Sequence, residues 1–397
     1  MIYRRFGRTE IQMPVFSCGG MRYQFKWQDV PLSEVPEENQ ANLEATIRRA
    51  IELGINHIET ARGYGSSERQ LGLVLPTFPR DDIIVQTKLT PHAVPDEFVR
   101  QFRDSLDRLQ LEYVDLLSLH GVNTHELLWY AMRKNGCLAA ARQLQAEGLV
   151  RHVGFSTHGT TDLILDAIWH EADGGFDYIN IHWYYIFQKH LAALQAAAER
   201  DMGVFIISPS DKGGMLYKPP EKLVELCRPL HPLVFNCLFC LNRPEIHTLS
   251  LGASCPGDFD LQISALEHFE VIDDLLPPII FRLREAMVNA VGKEIADRFD
   301  EGLPSWESSP GFMNIGLMLR LRNLHLAYDM TDYCKNRYNL LGNGGHWLPG
   351  SNAAQLHRLD LTNALKNSPF AEQIPTWLRE THTLLCEKPK KQLSEGD

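Results

Sequence analysis

One alternation constrains this chain more than any other feature. Short runs rich in β-branched and apolar residues at 15–18, 57–60, 83–88, 114–120, 152–156, 178–183, 204–208 and 247–252 take turns with longer amphipathic stretches such as 38–53, 97–109, 138–147, 161–171 and 190–200. Strands separated by whole helices are parallel, because a tight turn cannot return a strand in the same direction. Eight such units within roughly 270 residues predict the α/β class, and a closed (β/α)8 TIM barrel rather than an open sheet. In the last barrel helix Phe259, Ile263, Leu266 and Phe269 share one face that packs on the sheet. Residues 1–13, ahead of the first strand, are expected to form a hairpin closing the barrel floor.

The rhythm stops near residue 272, where Leu275-Leu-Pro-Pro278 interrupts the pattern and only helical stretches follow, among them 281–299 and 317–328. The expected organisation is therefore a barrel over 1–271, a mainly helical extension over 272–385, and a flexible polar tail over 386–397. With 397 residues, 44% of them hydrophobic and 22% charged, the chain has the composition of an ordinary globular protein. Its 39 Lys and Arg against 50 Asp and Glu leave a net charge of −11, which supplies no general attraction to nucleic acid or to an anionic membrane. No apolar run approaches the ~18 residues of a membrane span, and no secretory signal opens the chain. Eight cysteines scattered without a dense pattern suit free thiols, so the expected address is the cytoplasm.

The chemistry concentrates in Gly54-Ile-Asn-His-Ile-Glu-Thr-Ala-Arg-Gly-Tyr-Gly-Ser-Ser-Glu68, where a strand ends in a carboxylate and enters a glycine-bearing loop with a tyrosine. The next two strands end in a lysine, Ile84-Val-Gln-Thr-Lys88, and a histidine, Tyr113-Val-Asp-Leu-Leu-Ser-Leu-His120. A barrel carries strand ends to one rim, so Glu59, Tyr64, Lys88 and His120 are expected to meet there. Reduction of a carbonyl by hydride needs an acid for the developing alkoxide. A phenol serves if a nearby ammonium lowers its pKa, a carboxylate can hold that ammonium, and an imidazole can orient the substrate oxygen.

These three motifs, in order on successive strands, resemble the aldo-keto reductase family. The resemblance implies that Tyr64 is the general acid, that Lys88 and Glu59 tune it, and that His120 positions the oxygen. The family has Asp where this chain has Glu59, a change of reach by one methylene. It also implies a nicotinamide cofactor, NADPH or NADH, lying across the rim without a Gly-x-Gly-x-x-Gly turn. Ser156 and Thr157, in Gly154-Phe-Ser-Thr157, stand where the family has Gly-x-Ser-Asn to grip the carboxamide, and Asn180 stands at a second carboxamide contact. In Ile206-Ile-Ser-Pro-Ser-Asp-Lys-Gly-Gly214 the positions Ser208, Lys212 and Gly213 match the pyrophosphate loop, while Ile207 replaces a common nicotinamide-stacking aromatic.

The segment from Leu251 to Gln262 resembles the one that encloses the adenosine phosphate, which brings in Ser254, Asp258 and Gln262. Asp258 falls where NADPH-selective members carry a base, which would favour NADH, whereas the resemblance itself implies the family habit of NADPH use. The same carboxylate equally suits a plain helix N-terminus. The aromatic loop Gly19–Trp27 is expected to line the mouth for a small carbonyl substrate.

A subgroup of the family carries a ferredoxin-like helical domain with a Cys-x2-Cys-x2-Cys-x3-Cys-Pro cluster motif. Residues 272–385 resemble it around Ser309-Pro-Gly-Phe-Met-Asn-Ile315, yet no cysteine lies between 256 and 333, so no iron-sulfur cluster and no other metal is expected. The extension is expected to be a packed helical cover on the barrel, with its turn-rich segment 342–352 as the candidate for a lid or for a surface that meets a protein partner. The competing reading from another class is a nicotinamide-binding regulatory or scaffold protein with little catalysis.

Overall fold

A computed structural model of the chain describes residues 1–390, the side chain of His346 excepted; residues 391–397, most of the expected flexible tail, lie outside the described residues. The eight expected strands close into one parallel barrel. They are β3 (Phe16–Gly19), β4 (His57–Glu59), β5 (Ile84–Leu89), β6 (Val114–Leu119), β7 (Val150–Ser156), β8 (Tyr178–Ile181), β9 (Gly203–Ile206) and β10 (Thr248–Leu251), with β10 closing on β3. The leader is the hairpin β1 (Tyr3–Arg5) and β2 (Gln12–Pro14), paired antiparallel with Tyr3 opposite Pro14.

The hairpin has a floor to cover. Phe6 and Met13 are buried with Leu116, Tyr178 and Phe205 in one apolar cluster that seals the barrel bottom. A Cβ on Gly203 would lie 2.7 Å from the Phe6 ring, so the start of β9 must be glycine for this plug to seat. Above the floor, inward positions follow the period of two along each strand, which puts His57 beneath Glu59, Gln86 beneath Lys88 and Ser118 beneath His120. The lower layer is a polar ladder. Ser17 Oγ lies 2.7 Å from both His57 Nδ1 and Thr248 Oγ1, Gln86 Nε2 donates to Ser118 Oγ at 3.0 Å, and Ser118 donates to the Tyr178 hydroxyl at 3.0 Å.

The chain divides into two compact units. One is Met1–Gly213 with Asn236–Glu270, the barrel; the other is Gly214–Phe235 together with everything from Val271 onward. The second unit thus takes in a stretch between β9 and β10 that the strand pattern alone places with the barrel. Its longest helix, Ile272–Val291, runs through Pro277 and Pro278, where the sequence suggested a break. The prolines remove two ladder bonds. They sit on the exposed side, however, while Ile272, Leu276, Ile279 and Leu283 form a buried stripe at helical spacing that holds the segment together.

Within this unit Tyr328 donates to the Leu283 carbonyl at 3.1 Å, and the Tyr338 hydroxyl lies 2.7 Å from His382 Nδ1. The start of the expected tail is tied down, as the amides of Glu387 and Lys390 donate to the side chain and carbonyl of Asn339 at 2.7 and 2.9 Å. An iron-sulfur cluster does not fit these residues. No cysteine lies between Cys255 and Cys334 to supply thiolates, and the Cys334 thiol is spent on the Leu321 carbonyl at 3.1 Å. Among the described residues no single helix is long and apolar enough to cross a membrane, and no group of three or more His, Cys, Asp or Glu is placed to hold a metal ion.

Candidate active site

Glu59 ends β4, Lys88 is the penultimate residue of β5, and His120 follows β6, so three neighbouring strands deliver them to one rim. Tyr64 comes from the loop after β4, whose Gly65 adopts φ +54° and would put a Cβ 1.8 Å from the Lys26 carbonyl. No other residue allows the β3 and β4 loops to approach so closely. Lys88 is 1% exposed and Glu59 3%, and they are in direct ion contact. Lys88 Nζ also donates to the Thr60 carbonyl at 2.8 Å and lies 4.7 Å from the centre of the Tyr64 ring. The rings of Tyr64 and His120 meet edge to face at 5.7 Å, and Trp27 packs edge-on against the other side of Tyr64 at 5.9 Å.

Burial governs the protonation of this group. It pushes the Tyr64 phenol above its ordinary value and the Lys88 ammonium well below its own. The Glu59 carboxylate in contact with Lys88 works against the second shift. The expected fall in the phenol's pKa is thus opposed by desolvation, and Tyr64 rests as the neutral phenol, the form a proton donor needs. One layer down, burial and then the Lys88 charge depress His57 to about 3, so its ring stays neutral.

The extra methylene of Glu59 has its own accommodation, which the sequence did not disclose. Glu59 Oε2 accepts from Ser250 Oγ on β10 at 3.3 Å, and it occupies space that a Cβ on Gly19 would invade at 3.3 Å. Ser67 and Glu68, part of the same motif, serve the scaffold. Ser67 pairs with Thr60 at 2.8 Å, and Glu68 accepts from Thr87 at 2.6 Å.

The candidate cofactor residues continue round the rim. Ser156, at the end of β7, accepts from the Gly121 amide at 3.0 Å. The Thr157 hydroxyl is spent on the Val122 carbonyl at 2.8 Å, which ties two rim loops together. Asn180 is fully buried on β8 beside Ser156, and neither atom of its carboxamide has a hydrogen-bond partner. Gln262 is buried likewise; its Nε2 donates to Ser210 Oγ at 3.2 Å, while its Oε1 has no partner.

After β9, Ser208 takes φ +52° and accepts from the Lys212 amide at 3.0 Å, while a Cβ on Gly213 would fall 1.9 Å from the Pro209 carbonyl. This is a tight turn with Lys212 folded in, 8% exposed. Beyond β10, at the start of the short helix Asp258–Ile263, Asp258 Oδ2 accepts from both the amide and the hydroxyl of Ser254 at 2.7 Å. Burial pushes the Asp258 carboxyl up, but the Ser254 donors and the Arg22 guanidinium together hold it below the usual range. Arg22 itself reaches over from the β3 loop and donates to the Gly252 carbonyl at 2.8 Å.

A nicotinamide dinucleotide fits this strip on the molecule's own terms. Buried carboxamide atoms left without partners cost free energy unless a ligand meets them, and Asn180 and Gln262 carry three such atoms on one rim. The cysteines stand aside from this chemistry. Cys237 and Cys240 are buried and unpaired, and Cys240 donates to the Trp183 carbonyl at 3.2 Å. Ser250, Arg22 and His158 were missed by sequence reasoning; a polar residue at an inward strand position was the one signal for Ser250.

A buried lysine–carboxylate pair thus meets a tyrosine and a histidine at the C-terminal rim of a parallel barrel, the rim where barrel enzymes carry their chemistry. The chain belongs to the aldo/keto reductase family, whose model matches residues 17–221. It is 29% identical over 212 residues to a D-threo-aldose 1-dehydrogenase of Pseudomonas, a match covering 45% of this chain and 62% of that protein, less than two thirds of its length. It is 33% identical over 257 residues to L-galactose dehydrogenase of Arabidopsis thaliana, covering 57% of this chain and 78% of that one. Among solved structures it shares its fold with an aldo-keto reductase of Bacillus halodurans in its holo form, at 20% identity and a TM-score of 0.56 over 69% of this chain and 96% of that one. A Klebsiella pneumoniae aldo-keto reductase in complex with NADPH is similar at 20% identity and a TM-score of 0.55, over 70% and 95%.

Proposed function

We propose that the chain interconverts a small-molecule carbonyl and its alcohol with a nicotinamide cofactor, Tyr64 acting as the proton donor in reduction. The observation that carries the reading is Lys88, buried, held by Glu59 and the Thr60 carbonyl, and set 4.7 Å from the Tyr64 ring. The bound cofactor would supply the hydride. Tyr64 gives its phenolic proton to the developing alkoxide, and the Lys88 ammonium stabilises the phenolate left behind. Glu59 keeps Lys88 charged and in place through its second bond to Ser250. His120, edge-on to Tyr64, orients the substrate oxygen. Asn180 and Ser156 would hold the carboxamide, Ser208, Lys212 and Gly213 the diphosphate, and Ser254 and Gln262 the adenosine end. Eight unpaired cysteines support a reducing, cytoplasmic address.

NADH is the preferred form in this reading. Asp258 already places a carboxylate on the Ser254 amide and hydroxyl, donors that would otherwise suit a 2′-phosphate, and it would repel one nearby. Calorimetric titration with NADH, NADPH, NAD⁺ and NADP⁺ tests both parts. NADH tighter by ~10-fold or more, with Asp258→Ser narrowing the gap, is expected. Equal affinities would remove the preference, and no binding by any of the four would remove the cofactor reading.

A further inference from the structure

A second cluster on the same rim has no place in the proton chemistry. His158 follows β7, His182 and Tyr184 follow β8, and Lys212 lies in the turn after β9. His182 Nε2 is 2.6 Å from His158 Nδ1, His182 Nδ1 is 2.6 Å from the Tyr184 hydroxyl, and that hydroxyl donates to the Ile207 carbonyl. Lys212 Nζ lies 3.5 Å from both ring nitrogens of His158.

The donors fix the direction of the run. Tyr184 has one proton and gives it to Ile207, so His182 Nδ1–H must donate to the Tyr184 oxygen. A neutral His182 then accepts at Nε2, and the proton in the His–His contact belongs to His158 Nδ1. The Lys212 ammonium, 3.5 Å from both ring nitrogens at once, rests over the His158 ring rather than on one nitrogen, and the face of a neutral ring attracts a cation. The run is one-way, from His158 through His182 and Tyr184 to a backbone carbonyl, with Lys212 seated on its first ring. Its anchors are rigid: His182 is 7% exposed, and the His158 amide donates to Asn123 Oδ1 at 2.6 Å.

Lys212 is an almost buried cation on the turn assigned above to the diphosphate. A long lysine side chain loses much of its value as an anion contact unless its direction is set beforehand. We propose that His158 is a positioning residue that aims the Lys212 ammonium at the cofactor's diphosphate, with His182 and Tyr184 fixing the tautomer and angle of the His158 ring. The inference rests on the nicotinamide-cofactor reading and adds to it a reason why three aromatic side chains stand beside a phosphate turn.

The test uses the full-length protein and ADP-ribose, which carries the diphosphate without the nicotinamide, with adenosine as the probe that lacks it. Wild type should bind ADP-ribose, and His158→Ala should weaken that by ~10-fold while leaving adenosine unchanged. Lys212→Met should weaken ADP-ribose at least as much. In the Lys212→Met background His158→Ala should cost little more, because a positioning residue acts only through its partner. His158→Gln should restore binding to within a few-fold, since its Oε1 can accept from Lys212 and its Nε2 can donate to His182. Thermal melts confirm that each variant is folded. Unchanged ADP-ribose affinity in His158→Ala, full additivity of the pair, or equal loss of adenosine would overturn the proposal. If wild type binds neither dinucleotide nor ADP-ribose, the cofactor reading itself falls, and the inference with it.

Discussion

The two ends of the candidate site are built on opposite principles. At the acid–base end the charges are already spent on one another: Lys88 meets Glu59 and the Thr60 carbonyl, and Glu59 meets Ser250. At the cofactor end Asn180 and Gln262 hold buried amide atoms that have no partner within the protein. Under the proposed mechanism the first end is preorganised for proton transfer before substrate arrives. The second is incomplete by design and is finished by what binds. A substitution should therefore act on turnover at one end and on affinity at the other.

The sharpest separation is Tyr64→Phe. Removing the phenol takes away the proposed proton donor, so turnover should fall by roughly 10²–10⁴-fold. The ring stays to pack against Trp27 and His120, so cofactor affinity by calorimetry should be unchanged. Steady-state rates on simple aldehydes that survive in this variant would refute the assignment.

How dry the acid–base end is can be read from stability against pH. His57 is fully buried one layer below, with a folded pKa of about 3 against an unfolded value near ~6.5. Between those values the unfolded chain binds a proton that the folded barrel refuses, so stability is full above pH ~6.5 and falls as pH drops towards 3, by ~1.4 kcal/mol per unit from this residue. Urea melts from pH 6.5 to 4.5 should show that slope, and His57→Asn should remove its share. An unchanged slope in the variant would mean that water reaches the layer under Lys88.

Asn180→Leu tests the other end, and its two effects carry opposite signs. Replacing a buried, unpartnered amide with an apolar group of similar shape should leave the cofactor-free protein as stable or more stable, by up to ~1 kcal/mol. It should also weaken NADH by ~10-fold while sparing ADP-ribose, which has no carboxamide. Loss of stability together with loss of both ligands would make Asn180 a core residue and erase the contrast between the ends.

The difference between the two ends also explains what could be read from sequence. Strand positions and the order of Glu59, Lys88 and His120 follow from local periodicity, since a barrel converts the last inward residue of each strand into a rim residue. The polar ladder beneath them was hidden, because His57 and Gln86 read as ordinary strand residues until β10, β3 and β6 bring Ser17, Thr248 and Ser118 against them. Thr157 stands where the family has Asn, a departure visible in the sequence, but that its hydroxyl is turned to Val122 is a choice made by a neighbouring loop. The helix through Pro277 and Pro278 shows the same override, with a buried stripe outweighing two missing backbone bonds. What sequence does not carry is the pairing of residues far apart in the chain, and the run from Lys212 to Tyr184 is made of that alone.

The smallest expected effect concerns the one departure from the family inside the catalytic group. If Glu59 were a defect, Glu59→Asp would restore the family residue and raise turnover. The surroundings argue the reverse. Gly19 leaves room for the longer side chain, and Ser250 Oγ meets its far oxygen at 3.3 Å. Shortening the chain by one methylene keeps the charge but withdraws it from Ser250, leaving Lys88 with a looser partner and the phenolate with a less well placed cation. Turnover should fall a few-fold, with cofactor affinity unchanged, and Ser250→Ala should reproduce most of that loss in the wild type while adding little to Glu59→Asp. A rise in turnover on Glu59→Asp would show instead that the Gly19 and Ser250 contacts merely tolerate the longer carboxylate.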